Sequence, residues 1–191
     1  TDTGGNLYAT QYNYSAATHN GVALEVTGWS YGNVTTGCKT KRSDGKCTAV
    51  NTTTYASGTA HQDVVGQWSG GLGVEYDTSP EHAINNAGND FDMLLLTFSE
   101  AVSLNSINLG WIDGKNNAER LKRSDISILA GTSETFASPL NQSWQSLVGN
   151  GWQLEGNYNG VGLGNETVND VGIIASKYWL VGAYNSTLGS A

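Results

Sequence analysis

Charged side chains are scarce in this chain: Asp, Glu, Lys and Arg make up 14% of its 191 residues, whereas soluble proteins average about 25%. Polarity comes instead from Gly, Asn, Ser and Thr, a composition typical of secreted β proteins. The few charges are unbalanced and give a formal net charge of -8. Nucleic acids and anionic membrane surfaces are therefore disfavoured as partners, because their phosphates would be repelled.

Long apolar runs and helical periodicity are also missing. No stretch approaches the roughly 18 residues needed to cross a bilayer, and no signal peptide opens the sequence, so we expect a mature or truncated form. Only residues 116–123 have a helix-like pattern, and that pattern is short, charged and without an apolar stripe. Because there are two prolines and no linker-like composition, we expect one domain over residues 1–191.

Alternating apolar residues predict strands along most of the chain. Alternation marks residues 8–14, 22–26 and 107–111, and further short strands are expected at 126–129, 152–154 and 171–174. Residues 93–96 and 178–181 are apolar on both faces, which predicts two central strands. We therefore predict an all-β fold, a jelly-roll-like antiparallel β-sandwich with little helix.

Cysteine is limited to Cys38 and Cys47, with Ser43, Asp44 and Gly45 between them to turn the chain. This spacing favours a disulfide that closes a hairpin, which would place the protein outside a reducing cytosol. A pair of free thiols is the alternative. The basic residues around this turn, at positions 39, 41, 42 and 46, are interpreted as a solvated hairpin tip.

Oxygen donors gather between a glycine-dense stretch, residues 66–74, which we interpret as a loop, and the apolar strand that begins at residue 93. The candidate ligands are Glu75, Asn85, Asn86, Asp90 and Asp92. Calcium binds six to eight such oxygens and tolerates irregular loops, so these residues predict a structural calcium site. The regular Asp-x-Asp-x-Asp-Gly loop is lacking, and the alternative is that the same residues are turn formers and solvated acids.

Patterns that indicate catalysis are weak. The three histidines, His19, His61 and His82, have neither HxxxH nor HxH spacing. Ser69 lies in Trp-Ser-Gly-Gly and lacks the Gly-x-Ser-x-Gly frame of a nucleophile elbow. Acidic pairs that would imitate a glycosidase can be judged only from their separation in space. We therefore predict that the protein is not an enzyme.

Several motifs together carry a resemblance to a known family. They are WSGGLGV at 68–74, PEHAINN at 80–86, DMLLLTF at 92–98, AVSL at 101–104, GW at 110–111, SDISILA at 124–130 and YWLVGAY at 178–184. In this combination the chain resembles exosortase-dependent surface proteins of the PEP-CTERM type, from Gram-negative biofilm-forming bacteria. The family pattern tends to have Asp where this chain has Asn85.

The resemblance implies an exported protein that reaches the bacterial cell surface or extracellular matrix through a C-terminal sorting and anchor segment, which this sequence does not contain. We expect an extracellular structural surface or biofilm-matrix protein that self-assembles into filaments or a layer. Its expected partners are further copies of itself or a matrix polysaccharide, and residues 1–13 are candidates for a strand donated to a neighbour.

A carbohydrate-binding module is the alternative to that structural role. Its exposed aromatic rings would stack on sugar rings, while Asn and Asp side chains would bind the hydroxyl groups. The candidate rings are those of Trp29, Tyr31, Trp144 and Trp152. Because most tryptophans in a β-sandwich lie in the core, the burial of these rings distinguishes the two functions.

Overall fold

The computed structural model describes residues 7–18, 21–41, 43, 47–55, 58–68, 70–74, 84–86, 90–112, 124–168 and 174–188. Strands dominate these residues. They are β1 (Leu7–Ala9), β2 (Tyr12–Tyr14), β3 (Leu24–Ser30), β4 (Asn33–Lys41), β5 (Cys47–Thr54), β6 (His61–Asp63), β7 (Val65–Trp68), β8 (Gly71–Val74), β9 (Met93–Val102), β10 (Ser106–Leu109), β11 (Ser124–Gly131), β12 (Trp152–Val161), β13 (Gly164–Thr167) and β14 (Ser176–Ala183).

The main sheet is antiparallel, with the strand order β12-β11-β14-β9-β3-β2, and β6 also pairs with β3. Strands β9 and β14 lie at its centre and pair with each other, with Trp179 opposite Leu96 and Leu180 opposite Leu95. Their apolar runs are therefore buried on both faces, as the sequence predicts. The all-β prediction is confirmed, while the jelly-roll connection order stays a prediction.

Alternate residues of the central strands face two different cores, because successive side chains of a strand point to opposite faces. One face carries Met93, Leu95 and Leu180 and packs against Trp144 and Trp152. On the other face, Trp179 and the alternate residues of β11 pack against the apolar side of β10. The same second face, farther along β3 and β9, packs against β7 and β8. The main sheet is thus covered on both sides.

The glycine-dense segment at residues 66–74 is a β-hairpin and not a loop, which corrects the sequence-based interpretation. Strand β7 pairs with β8, and β1 adds on the other side of β7 to make a three-stranded sheet. The indole ring of Trp68 lies directly over Gly66, where a Cβ atom would collide with the ring carbons. Because residue 66 is glycine, there is room for the Trp68 ring to lie against the backbone of its own strand.

The N-terminal strands pair within the chain. Leu7–Ala9 pairs with Val65–Gln67 of β7, and Tyr12–Tyr14 pairs with residues 24–26 of β3. The alternating segment is broken at Thr10 and Gln11, so one predicted strand becomes two that join different sheets. Donation of this segment to a neighbour stays a prediction, and residues 1–6 lie outside the described residues.

Helix is limited, in the described part of the chain, to α1 (Trp144–Leu147) and two 3-10 turns, Ala16–Thr18 and Ser186–Leu188. Ser143 caps α1, since its side chain accepts a hydrogen bond from the backbone N–H of Ser146. Trp144 and Leu147, three positions apart, both point into the core. No helix among the described residues is long and apolar enough to cross a membrane. The helix-like pattern at 116–123 lies outside the described residues.

Candidate functional site

Three buried carboxylates and one buried hydroxyl lie together where β3, β6 and β9 meet. We call this group the acidic edge: Ser30 at the end of β3, Asp63 at the end of β6, and Asp90 and Asp92 just before β9. Their exposed fractions are 0%, 3%, 7% and 1%. Strand pairing explains the arrangement, because β6 and β9 both pair with β3 near Ser30. Carboxylates this deeply buried require specific hydrogen bonds.

Ser30 and Asn85 supply hydrogen bonds to the Asp92 carboxylate. The Oγ of Ser30 donates to Oδ1 of Asp92 at 2.8 Å, and the backbone N–H of Asn85 donates to Oδ2 at 3.1 Å. The N–H of Asp92 donates in return to the carbonyl of Asn85 at 2.9 Å. Asp92 therefore joins the segment around Asn85 to the end of β3.

The other two carboxylates each accept a hydrogen bond from a backbone N–H group. Oδ1 of Asp63 accepts from the N–H of Val64 at 2.5 Å, and Oδ1 of Asp90 accepts from the N–H of Tyr31 at 3.1 Å. The Oγ of Ser30 also lies 3.4 Å from Oδ2 of Asp63, a long distance for an O–H donor that already bonds to Asp92. Ser30 thus lies between two carboxylates.

The structure brings some of the predicted calcium ligands together. Asn85 lies against Asp92, whereas the Nδ2 of Asn86 donates instead to the carbonyl of Tyr184 at 3.1 Å. Glu75 lies outside the described residues. Across the residues that the structure describes, no group of three or more His, Cys, Asp or Glu side chains is placed to hold a metal ion. The calcium site therefore stays a prediction.

Sequence reasoning missed Ser30 and Asp63 as members of this group. They are separated from Asp92 by 62 and 29 positions along the chain, and only the pairing of β3 with both β6 and β9 brings them close. The available signal was the position of Asp63 directly before the apolar pair Val64 and Val65. An acid at the end of a buried strand is costly unless it is hydrogen-bonded.

The predicted sugar-stacking tryptophans are buried. Trp29, Trp144 and Trp152 are 6%, 0% and 2% exposed. Each indole N–H already donates to the protein, to Oγ1 of Thr27, to the carbonyl of Phe91 and to the carbonyl of Ala137. The rings therefore offer no face on which a sugar could stack.

Tyr31, the fourth predicted stacking residue, is half-buried among other aromatic rings. Its centroid lies 5.9 Å from that of Phe91 and 6.4 Å from that of Trp144. Among described residues the tryptophan with a large exposed fraction is Trp111, at 51%, which the sequence placed at the end of a predicted strand. Strand β10 ends at Leu109, before that residue.

Strands β4 and β5 form a long two-stranded sheet of their own. Cys38 lies opposite Val50, and Cys47 lies opposite Lys41, so the two cysteines are on neighbouring antiparallel strands. The predicted hairpin is confirmed, while the disulfide stays a prediction. At the base of the hairpin, the N–H of Tyr55 donates to the carbonyl of Gly32 at 2.6 Å.

Two described side chains of the types that serve in acid-base catalysis, His61 and Glu155, have shifted pKa values. Burial lowers the pKa of the His61 imidazole, which stacks on the Tyr55 ring at a centroid distance of 3.4 Å and lies 3.0 Å from Oγ1 of Thr59. Burial raises the pKa of the Glu155 carboxyl on β12. The two groups lie on different strands of the main sheet, β6 and β12.

Comparison with protein-family models, with curated proteins and with solved structures gave no match for this chain. The resemblance to PEP-CTERM surface proteins therefore stays a prediction from the motifs alone. Function has to be argued from the fold and the surface of the chain itself.

Proposed function

We propose that this chain is an extracellular structural protein of a bacterial surface or biofilm matrix, and that it self-associates into filaments or a layer. The observation that carries the proposal is the outer edge of β12. This strand is ten residues long, pairs with β11 and comes last in the strand order of the described main sheet. An edge of this length is a template for pairing with another chain.

Natural proteins protect such edges with lysine, proline or a covering segment. β12 has the sequence WQLEGNYNGV, which contains neither lysine nor proline and has Glu155 as its one charged residue. In a protein that remains monomeric, we would expect such protection on a long edge strand, because it prevents pairing with other chains. The lack of lysine and proline in β12 therefore supports a role that depends on contacts between copies.

The alternative of a carbohydrate-binding module loses its main support. Three of its four proposed rings, Trp29, Trp144 and Trp152, are buried, and the fourth packs against Phe91 and Trp144.

We also propose that the protein is not an enzyme, because the carboxylates of the acidic edge are buried and a substrate would not reach them. The proposal also retains a structural calcium ion, supported by the oxygen donors that the sequence places in one segment, at Asn85, Asn86, Asp90 and Asp92.

Assembly is tested on the purified chain. We expect ordered filaments or sheets in negative-stain electron micrographs, and a sedimentation coefficient that increases with protein concentration, because pairing of strand edges is reversible association. The same measurement after addition of a soluble matrix polysaccharide separates self-association from co-assembly. A chain that sediments as a monomer over the whole accessible concentration range, with no particles in the micrographs, would refute the structural role.

An extracellular location predicts that Cys38 and Cys47 are cross-linked. Their positions on paired strands support this, and disulfides persist in oxidising compartments. Alkylation of the unreduced, denatured protein should therefore modify neither cysteine, whereas alkylation after reduction should modify both, as measured by peptide mass spectrometry. Complete modification without reduction would show free thiols and remove this argument for secretion.

A further inference from the structure

The two most exposed large apolar side chains of the described residues lie at one end of the β10-β13 sheet. They are Trp111, which is 51% exposed, and Leu163, which is 58% exposed. Leu109 of β10 pairs with Gly164 of β13. Trp111 follows Leu109 by two positions, and Leu163 directly precedes Gly164. Exposed apolar residues that gather at one place indicate a contact surface, whereas single ones are ordinary.

Uncharged polar side chains line the outward side of the same two strands. Ser106 pairs with Thr167, and Asn108 pairs with Asn165. All four residues are exposed, and paired residues of neighbouring strands share a face. The one charged residue of these strands, Glu166, alternates to the other side. We call the outward set the outer face; its members are Ser106, Asn108, Trp111, Leu163, Asn165 and Thr167.

The two amides of the outer face are held by each other. The Nδ2 of Asn108 donates to Oδ1 of Asn165 at 2.7 Å. A side-chain amide has two N–H donors and an acceptor oxygen with two lone pairs, so this bond uses only part of the capacity of either residue. Two exposed amides in a fixed relative orientation can bind a ligand with little further loss of entropy.

A close backbone contact positions Trp111. A Cβ atom at Gly110 would collide with the carbonyl of Gly70, and a Cβ atom at Gly70 would lie 3.6 Å from the Cβ of Trp111. The turn between β7 and β8 therefore packs directly against the backbone that carries the indole. Trp111 is three residues beyond Asn108, a span of at most about 11 Å. The ring and the amides are thus close enough to contact one ligand.

The chemistry of the outer face matches that of a sugar. A pyranose ring presents C–H groups on its flat faces and hydroxyl groups around its rim. An indole offers a large, rigid apolar face, and amides and hydroxyls both donate to and accept from sugar hydroxyls. The core of a protein interface is mainly apolar, whereas four of the six side chains here are polar.

The charge of the chain selects among sugars. The six side chains of the outer face carry no charge, and the whole chain has a formal net charge of -8. A polyanionic polysaccharide would be repelled by this charge and would find no cation on the outer face. A neutral polysaccharide needs no counter-charge, so it is the class of ligand that this surface fits.

We propose that the outer face of the β10-β13 sheet binds a neutral polysaccharide. The ring of Trp111 stacks on one sugar unit, and the amides of Asn108 and Asn165 bind hydroxyl groups of the same chain of sugars. The inference rests on the proposed matrix role, because it names the surface by which a structural protein would hold the matrix polysaccharide. Trp111 is not among the four rings that the sequence suggested, which are buried or half-buried.

The test is the substitution Trp111→Ala, with hydroxyethyl cellulose, dextran and galactomannan as neutral probes. Affinity electrophoresis and isothermal titration calorimetry measure binding. We expect the wild type to bind at least one probe and Trp111→Ala to raise the dissociation constant at least about tenfold, because an anchoring ring is removed. Trp111→Tyr keeps an aromatic face and should stay within about threefold of the wild type. Wild-type binding should be unchanged between about 0.1 M and 1 M NaCl, since no charge pair is involved.

Phe136→Ala is the matched control, because it removes another exposed ring from a different surface. Phe136 is 43% exposed and packs against the ring of Tyr178 at a centroid distance of 5.2 Å. Tyr178 belongs to the core on the other side of the main sheet from β10. This variant should bind as the wild type does. The double variant Asn108→Ala/Asn165→Ala should bind at least about threefold more weakly, and thermal unfolding checks that each variant keeps its fold.

Tryptophan fluorescence locates the bound sugar. Saturating polysaccharide should protect part of the wild-type emission from quenching by acrylamide, because Trp111 is the described tryptophan with a large exposed fraction. Trp111→Ala should show no such protection. Equal protection in Trp111→Ala and wild type would place the sugar elsewhere and overturn the inference.

The remaining outcomes separate this inference from the structural role. If the wild type assembles but binds none of the three neutral probes, the inference is wrong and the structural role stands. If it binds a probe through Trp111 but stays monomeric, self-association is wrong and the inference stands. If alginate, a polyanion, binds and the neutral probes do not, the inference is overturned. If Trp111→Ala blocks assembly and leaves probe binding unchanged, the outer face is a protein contact and the inference is also overturned.

Discussion

Replacing Trp144 by alanine is expected to lower the free energy of unfolding by about 4 kcal/mol. The indole is 0% exposed and packs in the core cluster that includes Met93 and Leu180. Its N–H donates to the carbonyl of Phe91 at 3.1 Å, so the substitution also leaves a partly buried carbonyl without this donor. Thermal unfolding followed by circular dichroism should show a midpoint lowered by roughly 10 °C, given the size of the chain.

Trp111→Ala is the matched control, because it removes the same side chain from a position that is 51% exposed. We expect it to change stability by no more than about 0.5 kcal/mol. The comparison bears on function as well as on stability. Equal and small effects at the two positions would mean that the Trp144 ring is accessible, which would restore the sugar-stacking interpretation.

Asp92→Ala is expected to cost about 3 kcal/mol, since it removes a charged acceptor from one buried and one partly buried donor. Those donors are the hydroxyl of Ser30, at 2.8 Å, and the N–H of Asn85, at 3.1 Å. The cost should appear as a midpoint of thermal unfolding lowered by roughly 6–12 °C. It should also appear as faster amide exchange around residue 85, because Asp92 holds that segment against the end of β3.

Glu100→Ala serves as the control for Asp92, because Glu100 is an exposed acid on β9 and should change stability by less than about 0.5 kcal/mol. Both variants and the wild type are also compared in calcium and in a chelator. A structural calcium ion at the acidic edge would raise the wild-type midpoint, by linkage of binding to folding, and Asp92→Ala should reduce that rise. A wild-type midpoint that is identical in calcium and chelator would reject the ion but leave the hydrogen-bond argument intact.

Local patterns predicted much of the fold correctly. The runs at 93–96 and 178–181 are too apolar for a half-exposed strand, and they form the two central strands of the main sheet. The turn residues between Cys38 and Cys47 predicted a hairpin, which is the β4-β5 pair. These predictions succeeded because burial on both faces and tight turns restrict the residues that can occupy a short segment.

The candidate site was predicted only in part. Asp90 and Asp92 were identified because they precede an apolar strand, which is a local signal. Ser30 and Asp63 were not, because their contribution depends on the pairing of β6 and β9 with the same strand. The glycine-dense segment was interpreted as a loop, since composition does not show that Gly66 makes room for the Trp68 ring.

The sequence alone determined the class of the fold, the central strands and the separation of charge between a basic hairpin and an acidic remainder. These properties belong to individual segments, and short-range sterics and burial are sufficient to impose them. Only the tertiary structure decided which tryptophans are buried, which carboxylates lie beside the Ser30 hydroxyl and which strands come last in the sheet order. Those properties depend on contacts between segments far apart in the chain, and no local pattern encodes the register and order in which strands meet.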